Sequence, residues 1–240
     1  MSLPISAVIL AGGKGTRLRS VLPDTPKILA SVNGRPFITY VLDQLVDAGL
    51  NTAVLCIGHL ATNVQEGLGE KYRTLQLRYL SETEPLGTGG ALRNAAFACA
   101  HHLVLAINGD SFVGTNFSNY IQWHMRLAVP ASMIVTRVSN SGRFGTVQFT
   151  GKGRIKSFAE KTGVSDPGWI NAGVYLFLSS WLRELPATIP CSIEQEVLPL
   201  WLDRGLYGYA AEAPFIDIGL PETLAAASQF FSALPVRSPQ

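Results

Sequence analysis

The first half of the chain alternates short apolar runs with amphipathic stretches, and this alternation restricts the fold more than any other feature. Short apolar runs suit strands that are buried on both faces of a sheet. The predicted elements are, in order, a strand at Ile5–Leu10, a helix at Pro36–Ala48, a strand at Thr52–Ile57, a helix at Ala61–Leu68, a strand at Leu75–Leu80, a helix at Gly90–Ala100 and a strand at Leu103–Asn108. Strands that alternate with helices predict an α/β fold with a mostly parallel sheet and right-handed crossovers.

The second half is less regular and contains more strands than helices. The predicted elements are a strand at Ala131–Val138, a hairpin of Gly145–Phe149 and Ile155–Ala159, a strand at Trp169–Leu178, a helix at Ser192–Asp203, a strand at Leu206–Ala211, an apolar run at Phe215–Gly219 and a helix at Pro221–Leu234. Ser192 and Gln195 predict a capping box, and Pro199 predicts a kink or an earlier helix end. Because the sequence contains no linker or repeat, we expect its 240 residues to form one domain.

The overall composition narrows the range of partners. The chain is 47% hydrophobic and 15% charged, which is typical of a globular protein. A formal net charge of +2 is too small to indicate nucleic acid or an anionic membrane as a partner. The sequence also has no apolar run near the ~20 residues that a membrane-spanning helix needs. We therefore expect neither nucleic acid nor a membrane among the partners.

The cysteines and the N-terminal residues predict a cytoplasmic location. Cys56, Cys99 and Cys191 are odd in number and far apart, so they indicate neither a disulfide framework nor a zinc site. No basic segment precedes the apolar residues Pro4–Ala11, so a signal peptide is not predicted.

A glycine-rich, cationic turn follows the first predicted strand. Its glycines and cations are Gly12, Gly13, Gly15, Lys14, Arg17, Arg19 and Lys27, with Asp24 the acid among them. Glycines let backbone N–H groups approach phosphate oxygens, and the cations neutralise phosphate charge. The dinucleotide fingerprint needs a small residue where the chain has Leu18, and the P-loop spacing does not occur. The turn therefore predicts a polyphosphate site, with an ordinary strand-to-helix turn as the alternative.

Two aspartates follow apolar runs and are candidate metal ligands. Asp110 comes directly after the strand that ends at Asn108, and Asp217 lies in the run that ends at Gly219. Mg²⁺ takes oxygen ligands and often binds through one or two carboxylates plus substrate phosphates. A lone aspartate at a strand end is more often a turn residue, which is the alternative here. Because the carboxyl ends of parallel strands share one edge, we expect the glycine turn, the loop after Leu80 and Asp110 to converge.

Several segments resemble one family, the sugar-1-phosphate nucleotidylyltransferases. The resemblance rests on A-G-G-K-G-T-R-L followed by P-K in the glycine turn, on N-G-D-S and F-I-D-I-G around the two aspartates, and on E-K followed by N-A-G-V-Y. It implies the nucleotide-diphospho-sugar transferase fold, a Rossmann-like sheet flanked by helices with a smaller sugar-binding β region. It also implies a nucleotide-binding half at about residues 1–115, a sugar-phosphate-binding half at about 116–240, and Mg²⁺ as cofactor.

The resemblance further implies a role for individual residues. Those implied for the nucleotide are Leu10, Ala11, Gly12, Gly13, Gly15, Thr16, Glu82, Gly87 and Thr88, and those for the sugar phosphate are Asn108, Glu160, Lys161, Asn171 and Gly173. The implied catalytic residues are Arg17, Lys27, Asp110 and Lys161, and the implied metal ligands are Asp110 and Asp217. Without the family, Glu160 and Lys161 would be interpreted as a surface ion pair.

The loop E-T-E-P-L-G-T-G-G resembles the base-binding loop of the members that form GDP-sugars. One carboxylate can accept from both N1–H and N2–H₂ of guanine, and Glu82 is the candidate, with Glu84 the alternative. The implied reaction transfers GMP from GTP to a sugar 1-phosphate, with a heptose 1-phosphate favoured and mannose 1-phosphate as the alternative acceptor. A uridylyltransferase, a non-catalytic nucleotide-sugar-binding protein and a homo-oligomer all remain open.

Overall fold

The computed structural model describes residues 4–159, 163, 166–187 and 190–235. The strands are β1 Ile5–Leu10, β2 Ser31–Val32, β3 Arg35–Pro36, β4 Thr52–Ile57, β5 Lys71–Tyr72, β6 Leu75–Ser81, β7 Leu103–Asn108, β8 Ser111–Val113, β9 Ala131–Val138, β10 Thr146–Phe149, β11 Ile155–Ala159, β12 Gly168–Leu178, β13 Leu206–Ala211 and β14 Phe215–Asp217. The α-helices are α1 Ile38–Asp47, α2 Ala61–Leu68, α3 Gly87–Ala98, α4 Phe117–Leu127, α5 Ser179–Arg183, α6 Leu198–Gly205 and α7 Pro221–Ala233. Short 3₁₀ turns occur at Thr16–Leu18 and Lys27–Leu29, and a π-helical turn at Ile193–Val197.

One ten-stranded sheet runs through both halves of the chain. Its main path is β11-β10-β12-β7-β1-β4-β6-β5, and β9 and β13 extend it beside β12. The central strands β7, β1, β4 and β6 are parallel, whereas β12 is antiparallel to both β7 and β9. The predicted Rossmann-like, mostly parallel sheet is therefore confirmed at its centre, with mixed edges.

The central strands are apolar throughout because both faces of the sheet are covered. Along β1, Ala7 and Ile9 face one core cluster and Val8 faces the other. Leu45 of α1 belongs to the first cluster and Leu92 of α3 to the second. Period-two alternation between two apolar layers produces a continuous hydrophobic run, which is why these strands can be predicted from sequence.

Several predicted boundaries are confirmed and others are wrong. The predicted bounds of β1, β4, α2 and β7 are those observed. Pro36, expected in the first turn of a helix, instead pairs with Ser31 across the short β2–β3 ribbon. The third helix begins at Gly87 rather than Gly90, because the N–H of Gly89 donates to the carbonyl of Cys191, 2.8 Å away, and fixes the first turn. The helices α4 and α5 are not foreseen by the sequence analysis.

The predicted helix at Ser192–Asp203 is divided into a π-helical turn and α6. Ser192 caps it as expected, since its Oγ accepts from the N–H of Gln195 at 3.1 Å. In the predicted capping box the N–H of Ser192 would donate to Gln195, but it donates instead to Glu196 at 2.9 Å. Pro199, which has no N–H to donate, lies in the first turn of α6 directly after the π turn. The sequence predicts a kink or an earlier helix end at this proline, and the structure has one widened turn directly before α6.

None of the described helices combines the length and hydropathy needed to cross a bilayer.

Candidate functional site

Three parallel strands end side by side and form the rim of the site. Leu10 at the end of β1 is paired with Cys56 of β4 on one side and Asn108 of β7 on the other. The pairing continues one residue further, because the N–H of Ala11 donates to Cys56 and that of Gly109 donates to Leu10. The glycine turn and the segment that carries Asp110 therefore leave the same edge of the sheet, as the sequence predicts.

Glycines are required both in the turn, at Gly15, and beside it, at Gly58, for different reasons. Gly12 lies against Gly58 of the neighbouring strand end, where a β-carbon on Gly58 would lie 3.0 Å from the Gly12 carbonyl oxygen. Gly15 has a positive φ of 58° and precedes the 3₁₀ turn, in which the N–H of Leu18 donates to Gly15 at 2.9 Å. Gly13 between them is exposed, so its backbone is open to an incoming anion.

A groove runs beside this turn and includes a histidine that no sequence motif identifies. His59 lies in it together with Gly13, Lys14, Gly15, Arg19 and Lys27. The groove joins the glycines of the N-terminal turn to the loop after β4, which follows more than forty residues later in the sequence.

A short antiparallel ribbon brings the two predicted acids together. β14 pairs with β8 so that Asp217 lies opposite Ser111, and the N–H of Ile218 donates to the Asp110 carbonyl at 3.0 Å. The last residue of β14, Asp217, therefore lies beside Asp110, which directly precedes β8, although the two aspartates are 107 residues apart in sequence.

Three cations surround this pair. Lys27 forms an ion pair with Asp110. The Nη2 of Arg143 lies 3.5 Å from Asp217 Oδ1. A methyl group placed on Gly219 would lie 2.8 Å from Asp217 Oδ1 and 3.3 Å from Arg17 Nη2, so Arg17 and Asp217 approach the same glycine. Arg17 and Lys27 are predicted from the sequence, whereas Arg143, in the turn after β9, is not.

Burial raises the pKa of Asp217 above its ordinary value, and the nearby Asp110 carboxylate raises it further. The Gly219 N–H, which donates to Asp217 at 3.0 Å, opposes this shift, as do Lys27 and Arg143. Two acids that repel each other favour a bound cation between them.

The donor set fits Mg²⁺, which needs hard oxygen ligands and often uses only one or two carboxylates. Groups of three or more candidate ligands do not occur among the described histidine, cysteine and acidic residues. Asp110 and Asp217 could thus hold Mg²⁺ only together with further oxygen atoms, such as those of substrate phosphates.

The other wall of the cleft is built on β12. Asn171 donates from Nδ2 to the hydroxyl of Tyr175 at 2.6 Å and accepts at Oδ1 from the N–H of Gly173 at 3.0 Å. Gly173 has a positive φ of 72°, and a β-carbon there would lie 2.9 Å from the Nδ2 of Asn108. The glycine thus leaves room for the side chain of Asn108.

Glu194 is a cleft residue that the sequence analysis does not identify. Its Oε2 accepts from Thr88 Oγ1 at 2.9 Å and from Ser192 Oγ at 3.2 Å. Its Oε1 accepts from the Tyr175 hydroxyl at 3.3 Å and from Asn108 Nδ2 at 3.4 Å. A glutamate on a predicted helix gives no sequence signal for such a position, because its partners come from three distant elements.

The loop predicted to hold the base is connected to the same cleft through Thr88, which donates to the cleft residue Glu194. Glu82 is half-buried and accepts from the N–H of Leu86 at 3.3 Å, whereas Glu84 is exposed. Burial raises the pKa of Glu82. A β-carbon on Gly87 would overlap the Cys191 carbonyl, so the packing of a distant segment requires glycine there.

Glu160 and Lys161 lie outside the described residues, so their predicted roles stay predictions. Of the other predicted acceptor residues, Asn108, Asn171 and Gly173 line one cleft together with Arg17, Asp110 and Asp217. Arg143 and Glu194 line the same cleft. The cationic turn and the two acids, which are distant in sequence, therefore meet in space as predicted.

The chain belongs to the Nucleotidyl transferase family, whose profile matches residues 6–233. The family resemblance inferred from the motifs is thus confirmed over almost the whole sequence.

Two similar proteins are named for different sugar phosphates. A D-glycero-alpha-D-manno-heptose 1-phosphate guanylyltransferase from Aneurinibacillus thermoaerophilus is 32% identical over 219 residues, which are 91% of this chain and 94% of that protein. A mannose-1-phosphate guanylyltransferase from Mycobacterium tuberculosis is 32% identical over 222 residues, which are 91% of this chain. The chain spans only 62% of the length of the latter.

A solved structure supports the fold. The crystal structure of HddC from Yersinia pseudotuberculosis complexed with GMP-PN is 29% identical and superimposes with a TM-score of 0.82. The match covers 94% of this chain and 99% of HddC.

Proposed function

We propose that this protein is a sugar-1-phosphate guanylyltransferase that transfers GMP from GTP to a sugar 1-phosphate and releases pyrophosphate. D-glycero-α-D-manno-heptose 1-phosphate is the favoured acceptor, and mannose 1-phosphate is the second candidate. The observation that carries the proposal is the meeting of Arg17 and Arg143 with Asp110 and Asp217 in one cleft, with Lys27 ion-paired to Asp110 from the neighbouring groove. The two guanylyltransferase relatives support GTP as donor and supply the two candidate acceptors.

The chemistry requires alignment and charge neutralisation rather than a protein nucleophile. The phosphate of the acceptor is already nucleophilic and attacks the α-phosphorus of the triphosphate. Arg17 and Lys27 would neutralise the α-phosphate and the departing pyrophosphate. Asp110 and Asp217 would hold Mg²⁺, which supplies positive charge to phosphate oxygens when bound. Lys161 is proposed to bind the sugar-phosphate oxygens.

The two substrates would occupy opposite walls of the cleft. The glycine turn, from Leu10 to Thr16, would bind the triphosphate, and Glu82, Gly87 and Thr88 would hold the base and ribose. Asn108, Glu160, Asn171 and Gly173 would form the acceptor subsite. In this proposal the first half of the chain binds the nucleotide and the second half binds the sugar phosphate. The enzyme would act in the cytoplasm, and its product would serve surface polysaccharide synthesis.

The test is a panel of GTP, UTP, dTTP, ATP and CTP against heptose, mannose and glucose 1-phosphates. Pyrophosphate release is followed with Mg²⁺ present and after its removal by a chelator. We expect the highest kcat/KM for GTP with the heptose 1-phosphate and loss of turnover after chelation.

Each alternative has its own outcome. Preference for UTP would contradict the assignment of Glu82 and favour a uridylyltransferase. Measurable GTP binding without pyrophosphate release for any pair would favour a non-catalytic nucleotide-sugar-binding protein. Turnover with mannose 1-phosphate but not the heptose would favour the second acceptor.

A further inference from the structure

Glu194 joins two regions of the cleft that bind different substrates in the proposed reaction. On one side, Thr88 lies in the first turn of α3, next to the loop that carries Glu82. On the other side, Tyr175 and Asn108 belong to the strands β12 and β7 of the acceptor wall. A single half-buried carboxylate therefore bridges both walls.

The carboxylate is saturated by protein groups. An ionised carboxylate has about four lone-pair sites for hydrogen bonds, and the side chains of Thr88, Ser192, Asn108 and Tyr175 all donate to Glu194. Glu194 thus has little capacity left for a substrate hydroxyl, which distinguishes it from a direct substrate ligand.

The carboxylate also sets the direction of the hydrogen bonds around it, because it can only accept. Thr88 must point its hydroxyl proton at Glu194, and the Thr88 oxygen then accepts from the N–H of Ile193 at 2.8 Å. Tyr175 likewise donates to Glu194 and accepts from Asn171. Two chains of directed hydrogen bonds, one on each wall, therefore end on Glu194.

The orientation of Asn108 depends on the same carboxylate. Its Nδ2 faces Glu194 at 3.4 Å, whereas its Oδ1 is buried and has no hydrogen-bond partner among the residues that the structure describes. A flipped amide would place its oxygen against the carboxylate, which is repulsive. Glu194 is thus the group that fixes which end of the Asn108 amide faces which way.

We propose that Glu194 is a positioning residue that links the nucleotide and acceptor subsites, by orienting Thr88 on one wall and Asn108, Tyr175 and Asn171 on the other. The proposal rests on the proposed function for the identity of the two substrates. It deepens that function, because one side chain outside the family motifs would control the binding of both.

The test measures binding by calorimetry for GTP and for the heptose 1-phosphate separately, in the presence of Mg²⁺. In Glu194→Ala, all four donating side chains lose their acceptor, so the hydrogen bonds to Glu194 are lost on both walls. We expect the dissociation constants of both ligands to rise about tenfold, the effect of losing one hydrogen bond to a charged group.

Two further variants separate the branches, and one is a matched control. Thr88→Val should weaken GTP alone, and Tyr175→Phe should weaken the sugar phosphate alone. Glu196→Ala changes a glutamate of the same π turn that is exposed and bonds only the N–H of Ser192 among the contacts described for its side chain. It should leave both dissociation constants unchanged.

The outcomes distinguish this inference from the proposed function. If Glu194→Ala weakens only one ligand, or neither, or if Glu196→Ala weakens both equally, the linking role is overturned. If the wild type binds both ligands without releasing pyrophosphate, the proposed function fails while the binding results still decide the role of Glu194.

Discussion

The two walls of the cleft use different kinds of interaction. The wall formed by the glycine turn and the acids carries formal charges, with Arg17, Lys27 and Arg143 around two carboxylates. The wall on β12 carries neutral amides and hydroxyls that converge on a single carboxylate, Glu194. Charges act strongly on phosphates, whereas directed hydrogen bonds distinguish hydroxyl patterns. The contrast teaches that rate and acceptor choice can be altered separately in this cleft.

The two acids of the charged wall differ in how closely a protein cation balances their charge. Asp110 is neutralised by an ion pair with Lys27. Asp217 is more deeply buried, its contact with the Arg143 cation is longer, and its pKa is raised. The charge of Asp110 is thus balanced within the protein, whereas the charge of Asp217 is left to be balanced by a bound cation.

The largest effect is expected from Lys27→Ala, which removes the cation paired with Asp110. Loss of one charge that stabilises a transition state lowers kcat by roughly 10²–10³-fold. We expect this loss with the acceptor KM nearly unchanged, as measured by steady-state pyrophosphate release. Lys71→Ala, at an exposed lysine of β5, is the control. Near-normal turnover of Lys27→Ala would remove Lys27 from the catalytic set.

Gly173→Ala should change acceptor binding at the wall on β12. The alanine would adopt an unfavourable positive φ and its β-carbon would meet Asn108. We expect the acceptor KM to rise about tenfold and the free energy of unfolding to fall by about 1–3 kcal/mol. Gly151→Ala is the matched control, because a β-carbon there has nothing within 4 Å. A rise in the KM for GTP equal to that for the acceptor would contradict the separation of the walls.

Glu82→Gln should change base preference with a smaller effect on turnover. The amide keeps one acceptor but cannot receive both guanine donors, so the ratio of kcat/KM for GTP over UTP should fall by up to about tenfold. Competition between the two triphosphates measures this ratio. Glu84→Gln tests the alternative residue, and a fall in the ratio for that variant alone would transfer the role to Glu84.

The smallest effect on the cleft is expected at His124, which belongs to neither wall. Its Nδ1 lies 2.7 Å from Ser132 Oγ, and burial lowers the pKa of His124 from its ordinary 6.5 to about 4. The unfolded chain therefore binds the proton first, and the free energy of unfolding should fall by on the order of 3 kcal/mol as the pH falls from about 6.5 to 4.

Chemical denaturation at a series of pH values measures this dependence. His124→Gln should lose that part of the slope and keep the wild-type kinetic constants at neutral pH. An identical slope in both proteins would show that other groups cause the acid sensitivity.

The first half of the chain is the more predictable, for a physical reason. The strands β1, β4 and β7 are buried on both faces, so local composition alone indicates them. The start of α3 cannot be predicted from the nearby sequence, because Gly87 and Gly89 pack against Cys191, about a hundred residues later in the chain. The helix α4 carries a local signal that the sequence analysis passes over, because Asn116 accepts from the N–H of Asn119 at its first turn.

The candidate site divides in the same way. Lys27 and Asp110 stand in local motifs that follow strands, so their meeting follows from parallel topology. Arg143 and Glu194 reach the cleft through the turn after β9 and through the π turn, and neither position has a local pattern. The proximity of Glu194 to Thr88 results from the packing of two segments that only the folded chain brings together.

The continuity of the sheet has a consequence for how the cleft can close. The strand β12 is hydrogen-bonded to β7 of the first half along one edge and to β9 of the second half along the other. A swing of one half against the other would break these ladders, so the floor beneath both substrates should stay fixed. Narrowing of the cleft around its ligands is then left to the overlying loops.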